Sequence, residues 1–114
     1  MELSTFEKSV ITALIKGDSE SELISEQLKD ATVKKRDYTG VGLYTDLQIN
    51  ENAPRLNKTS RFIEEVPKAH LDHPELSAGA GAMLWITDGL ISTLECYAYD
   101  EQWPKDESKF TICV

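Results

Sequence analysis

Apolar residues recur every three to four positions at the start of the chain and every second position further on. Phe6, Val10, Ala13 and Leu14 fall on one helical face, with Ile11 and Ile15 beside it. In front of them, Ser4-Thr5-Phe6-Glu7 has capping-box spacing: a hydroxyl placed to accept from the third helical amide, and a glutamate able to reach back. Gly17 is the natural stop, since glycine takes the left-handed conformation that follows a helix. Ser19-Glu20-Ser21-Glu22 repeats the start signal, and Leu23, Ile24, Leu28 and Ala31 form the stripe of a second helix. Residues 1–31 therefore predict a helical pair, acidic outside.

From Thr32 the period is two. Val41, Leu43, Leu47 and Ile49 alternate with Gly42, Tyr44, Asp46, Gln48 and Asn50, which predicts a strand with one buried face. Thr32 to Tyr38 reads as its partner, with a short turn at Thr39-Gly40. Residues 50–60 are loop by composition. Phe62 to Ala69 predicts a further strand, which Pro67 places at a sheet edge.

The strongest local signal is Asp88-Gly89 between Ala80–Thr87 and Leu90–Tyr99, because both turn residues tolerate positive φ. A two-residue turn sets Thr87 opposite Leu90, Trp85 opposite Ser92 and Met83 opposite Leu94. Ala82, Leu84, Ile86, Ile91, Thr93, Glu95, Tyr97 and Tyr99 then share one face, and Met83, Trp85, Leu90, Leu94, Cys96 and Ala98 the other. Both faces are apolar, so the hairpin is expected mid-sheet and covered on both sides, or strongly curled, with Trp85 and Leu94 buried. Phe110 to Val114 predicts a last strand. The expected fold is α+β: two N-terminal helices packed on an antiparallel sheet of about five or six strands, in one domain spanning 1–114.

With 114 residues, 40% of them hydrophobic and 28% charged, the chain has the balance of a globular domain large enough for one core. The net charge is −8. It is concentrated in residues 1–31, with seven acids against three bases, and in residues 71–114, with eight acids against two. An acidic chain repels phosphate backbones, so nucleic acid is not expected as a partner and a basic protein is. The longest apolar stretch, Ala78 to Ile86, contains two glycines and is far too short for a membrane span. The opening Met1-Glu2-Leu3-Ser4-Thr5-Phe6-Glu7 lacks the basic and apolar regions of a signal peptide, and a cytoplasmic location follows. Cys96 and Cys113 are accordingly read as free thiols acting as small core hydrophobes.

Several segments resemble a group of small bacterial proteins. They are Ala-Leu-Ile-x-Gly-Asp at 13–18, Gln-Leu-Lys-Asp-Ala at 27–31, Gly-Val-Gly-Leu-Tyr-Thr at 40–45, and the run from Gly79 to Pro104. The resemblance covers most of the chain except 50–75 and implies helices first, then an antiparallel sheet. In size and acidity the chain is also similar to immunity proteins, which bind and block a toxin domain, including those of contact-dependent growth-inhibition systems. That similarity implies a cognate toxin domain as the partner.

Candidate chemistry is sparse. His70-Leu71-Asp72-His73 is the only cluster of metal-capable residues, but no third ligand is visible and Pro74 suits a surface loop. No metal or cofactor is therefore expected. Glu95, mid-strand with Thr93 and Tyr97 on its face, reads either as a general acid or base in a pocket or as a glutamate paired with tyrosine hydroxyls, Arg36 or Arg61. Gly79 and Gly81 lack the strand–loop–helix context of a nucleotide fingerprint, so close backbone packing is the better reading. The triplet Lys34-Lys35-Arg36 sends its members to alternate faces of a strand, which suits local pairing rather than nucleic acid. The stretch 97–107 combines aromatics with acids, and Tyr99, Asp100, Glu101, Trp103, Asp106 and Glu107 are the expected partner-binding residues.

Three functions follow from these features. The first is a non-enzymatic inhibitor of the immunity type that presents the acidic, aromatic segment to a basic toxin domain. The second is a small enzyme or ligand binder using Glu95 with Tyr97 in a pocket on the sheet. The third is a homodimer joined through an exposed sheet edge.

Overall fold

The computed structural model describes residues 1–64 and 70–113. Helix α1 (Thr5–Ile15) starts at the predicted capping box: the Ser4 hydroxyl accepts from the Glu7 amide at 3.0 Å, and the Glu7 carboxylate accepts from the Ser4 amide at 2.7 Å. Helix α2 (Ser21–Lys29) follows the turn at Gly17. Both helices lie at the N-terminus and pack on a sheet, α1 chiefly on the fifth strand and α2 on the sixth.

Among the described residues the sheet is antiparallel and has seven strands, more than the five or six expected: β1 (Thr32–Tyr38), β2 (Gly42–Gln48), β3 (Ser60–Glu64), β4 (His70–His73), β5 (Leu76–Thr87), β6 (Leu90–Ala98) and β7 (Thr111–Cys113). Their order is β1-β2-β6-β5-β4-β7, with β3 also paired to β5. The long β5 makes this possible, since Met83–Thr87 pair with β3 while Leu76 and Ala80 pair with β4. The additional strand is β4, expected as a surface loop, whose Leu71 is buried against Ala80 and Ile112. Of the predicted strand 62–69, residues 65–69, including Pro67, lie outside the described residues, as does Val114 of the last strand.

The Asp88-Gly89 hairpin forms, with positive φ at both turn residues, but its register departs from expectation. Thr87 faces Leu90 and Ile86 faces Ile91; Trp85 then faces Thr93, so Ser92 is an extra, bulged residue. The bulge flips every side chain after it. Leu94 and Cys96 join Ala82, Leu84, Ile86 and Ile91 in the core under the helices, while Thr93, Glu95 and Tyr97 turn outward with Met83 and Trp85. Leu94 is buried as expected. Trp85, expected buried, is 39% exposed. The sheet thus has one face covered by helices and one face open, not two covered faces.

Ion pairs tie α1 and the α1–α2 connection to the strands. Arg36 of β1 reaches the fully buried Glu7 of α1 through Nε and Nη2, each at 2.8 Å, and the Thr45 hydroxyl donates to the same carboxylate at 2.7 Å. Arg61 of β3 grips Asp18 with two 2.9 Å bonds and reaches Glu20 at 3.2 Å. At the hairpin tip, buried Gln27 donates to the carbonyls of Pro54 and Gly89 and accepts from the Ile91 amide, all at 2.9 Å. The edge strand β1 is blunted by an extra residue at Lys34, by Met1 accepting from the Val33 amide, and by its lysines; these features oppose edge-to-edge pairing of two copies.

Candidate functional site

The open face of the sheet carries two cross-strand rows. One runs Lys35–Asp46–Thr93–Trp85–Phe62 across β1, β2, β6, β5 and β3. The next runs Asp37–Tyr44–Glu95–Met83 over β1, β2, β6 and β5. Period-two side-chain alternation on adjacent paired strands brings these residues together, and the Ser92 bulge puts Thr93 and Glu95 among them. Phe62 is 51% exposed, and its ring meets that of Trp85 at 5.3 Å. Tyr44 and Tyr99 are also exposed large side chains.

Glu95 sits between two of these rings. Its Oε2 accepts from the Tyr44 hydroxyl and its Oε1 from the Trp85 indole, each at 3.3 Å. The nearby negative charge of Glu95 raises the Tyr44 hydroxyl above its ordinary value. Neither Arg36 nor Arg61 reaches Glu95: Arg36 is engaged with Glu7 of α1, and Arg61 with Asp18 and Glu20 in the connection between the helices. Around this centre lies a shallow depression of about 410 Å³ lined by Lys35, Asp37, Tyr44, Asp46, Trp85, Thr93 and Glu95. Asp46 accepts from the Thr93 hydroxyl at 3.0 Å, and the lysine of Lys35 stands 3.9 Å away.

Tyr97, expected to work with Glu95, lies one row further along the same face, over Gly81. A Cβ on Gly81 would come within 2.8 Å of the Tyr99 hydroxyl and 3.0 Å of the Tyr97 ring, so this glycine makes room for the two tyrosines. Tyr97 and Tyr99 meet edge-on at 5.9 Å, and the His70 ring stacks on Tyr99 at 6.2 Å. The aromatic band therefore continues towards β4.

The C-terminal segment behaves differently from expectation in one respect. Trp103 is a core residue, 8% exposed, packed against Phe6 and Phe110 and donating its indole N–H to Glu107 at 2.9 Å. As folded it offers no anchor to a partner. Tyr99, Asp100 and Glu101 remain at the surface, as does Asp106. Glu101 accepts from both the amide and the hydroxyl of Ser77, and Asp106 from both the amide and the hydroxyl of Ser108; these bonds hold each carboxyl below its ordinary value. The same bonds orient the Glu101 and Asp106 carboxylates.

The histidines diverge. Nε2 of His70 pairs with Asp72 at 2.8 Å on the open face. His73 is buried on the other: its Nδ1 accepts from the Glu75 amide at 3.0 Å, which makes Nε2 the protonated nitrogen that donates to the Asp106 carbonyl at 2.8 Å. Among the described residues no group of three histidine, cysteine or acidic side chains is placed to hold a metal. Cys96 is a free, buried thiol whose burial pushes its pKa well up, away from reactive thiolate. The side chain of Cys113 lies outside the described residues.

A larger groove of about 630 Å³ runs between the start of α1 and the C-terminal segment. Its polar lining is mostly hydroxyl, from Ser4, Thr5, Ser9, Ser108 and Thr111, and its one carboxylate, Glu107, is occupied by Trp103. The open face has the denser chemistry. Sequence reasoning singled out Glu95 and Tyr97 but put them on the face of Ala82, Leu84 and Ile86, which the helices cover, and it missed Trp85, Phe62, Tyr44, Asp46 and Asp37 as neighbours of Glu95. The missed signal is the three-residue step between Ile91 and Leu94, which puts both in the core only if one residue between them bulges. No helix among the described residues is long and apolar enough to cross a membrane. No family model, curated protein or solved structure matches the chain.

Proposed function

We propose that the chain is a non-enzymatic protein-binding module of the immunity type, which holds a basic partner, a toxin domain, against the open face of its sheet. The observation that carries this reading is the exposure of Phe62, Trp85 and Tyr44 side by side with Asp37, Asp46 and Glu95. Exposed aromatic groups supply the buried core of an interface, and the carboxylates around them choose a cationic partner and steer it in. Tyr99, Asp100 and Glu101 follow the end of β6 at the surface, while Asp106 and Glu107, on the α1 side of the sheet, add negative charge at longer range; the aromatic anchor shifts from Trp103 to Trp85. A small-molecule site at Glu95 is the second reading, favoured by its two aromatic neighbours; the shallowness of the depression opposes it, since ligand pockets enclose most of their occupant.

The test is to purify the product of the adjacent gene and measure its association over a salt series. Binding is expected, with an on-rate that falls as salt rises. Changing Asp100, Glu101, Asp106 and Glu107 to amides is expected to slow association, and Trp85→Ala to speed dissociation. A neighbour that does not bind sinks the immunity reading. Association indifferent to salt sinks the electrostatic part of it.

A further inference from the structure

We infer that the depression around Glu95 is a seat for an arginine side chain of the partner; this rests on the protein-binding reading above and names the chemistry it recognises. Glu95 is a half-buried carboxylate with a ring on either side, and among the described residues its hydrogen bonds are the two long ones, at 3.3 Å, from Tyr44 and Trp85. Among the described residues no cation pairs with it. Asp37 and Asp46 line the same depression, against the single Lys35, whose 3.9 Å contact with Asp46 is made by a side chain 71% exposed. The site therefore carries an excess of negative charge between aromatic walls.

A guanidinium suits this arrangement better than an ammonium. Its planar fork can donate two parallel hydrogen bonds to the Glu95 carboxylate while its face lies against Trp85 or Tyr44. Such stacking adds to the ion pair because the ring faces are electron-rich. The Phe62 ring packs beside Trp85 at 5.3 Å. A second copy of the chain is disfavoured as occupant, because the net charge is −8 and identical acidic faces would meet.

The experiment follows the two indole N–H signals of the ¹⁵N-labelled full chain by NMR. The probe is an acetylated, amidated peptide alternating glycine and arginine, compared with its lysine and citrulline counterparts. The Trp85 signal is expected to titrate with the arginine peptide while that of buried Trp103 stays fixed. The lysine peptide should bind about threefold or more weakly, and the citrulline peptide should leave the signal unmoved. Glu95→Gln should weaken the arginine peptide about five- to tenfold, and Glu51→Gln, an exposed loop carboxylate outside the depression, by less than about twofold. A Trp85 signal that does not move, or moves equally with lysine, overturns the inference. So does a neighbouring gene product that binds with affinity unchanged by Glu95→Gln and Trp85→Leu, an outcome that leaves the binding reading standing. Arginine-peptide binding without any binding of that product retains the seat and removes the immunity reading.

Discussion

Arg36 and Glu7 meet across 29 residues of chain, with Nε and Nη2 of the guanidinium each 2.8 Å from the carboxylate. The pair joins the first turn of α1 to the edge strand β1, and the Ser4 amide and Thr45 hydroxyl complete the shell around Glu7. Burial alone would push the Glu7 carboxyl up. The bonds from Arg36, Ser4 and Thr45 outweigh it and hold the carboxyl below its ordinary value.

That balance makes a pH prediction. Folded Glu7 holds its proton less tightly than unfolded Glu7, so its contribution is complete above the ordinary value near 4.5 and is lost as pH falls through the lower folded value. Glu7→Gln leaves Arg36 unpaired and is expected to cost about 2–4 kcal/mol at neutral pH. Urea titrations at several pH values should show the gap between wild type and variant closing in acid. A gap constant down to the lowest pH at which the protein folds would contradict the pairing.

Gly89 combines two constraints. Its φ is +77°, and an added Cβ would stand 3.0 Å from the Arg55 Cβ and 3.1 Å from the Leu56 carbonyl. Gly89→Val is expected to destabilise by about 1–3 kcal/mol or more, since a β-branched residue resists positive φ and finds no room. The denaturation midpoint measures this directly.

The two tryptophans should report opposite environments. Trp103→Ala is expected to cost about 3–5 kcal/mol, because it empties the space between Phe6 and Phe110. Trp85→Ala should cost about 1 kcal/mol or less, as a half-exposed residue on the open face. Acrylamide should quench Trp85 strongly in the native protein and Trp103 only after unfolding.

Dialysis against a chelator is expected to leave the thermal midpoint in place. His70 and His73 face opposite sides of the sheet, and the ring nitrogens of His73 are engaged with backbone groups. A fall restored by zinc and absent in His70→Ala would refute this.

Where a local rule decided the structure, the sequence was a sufficient guide. The Ser4–Glu7 box, the bounds of β1 and the Asp88-Gly89 turn all depend on neighbours within a few residues. The failures share a different cause. Leu90 to Tyr99 is apolar in either phase, so period two alone could not choose its inner face, and a single extra residue, Ser92, inverted the assignment of Glu95, Leu94 and Cys96. His70–His73 has no strand pattern of its own and becomes a strand because β5 and β7 offer their edges to it. Trp103 looked like a surface anchor because acids surround it in sequence, whereas in space Phe6 and Phe110 do. The partner of Arg36 lies in α1 and those of Arg61 in the connection between α1 and α2, all far along the chain, pairings that no spacing rule encodes.

Gln27 gives the hairpin a particular place in the order of folding. The Asp88-Gly89 turn is the most local element of the sheet, yet the bonds that seal it come from Gln27 of a helix 62 and 64 residues away and from Leu56 and Thr59 of the loop beside it. A turn closed by such distant groups can begin to zip early but is completed only when α2 and the 50–59 loop have docked. The slow step is therefore expected to be the closure of long stretches of chain rather than formation of the turn. Amide exchange at Ile91 should then report opening of the whole molecule, although that amide is only three residues from the tip of a hairpin.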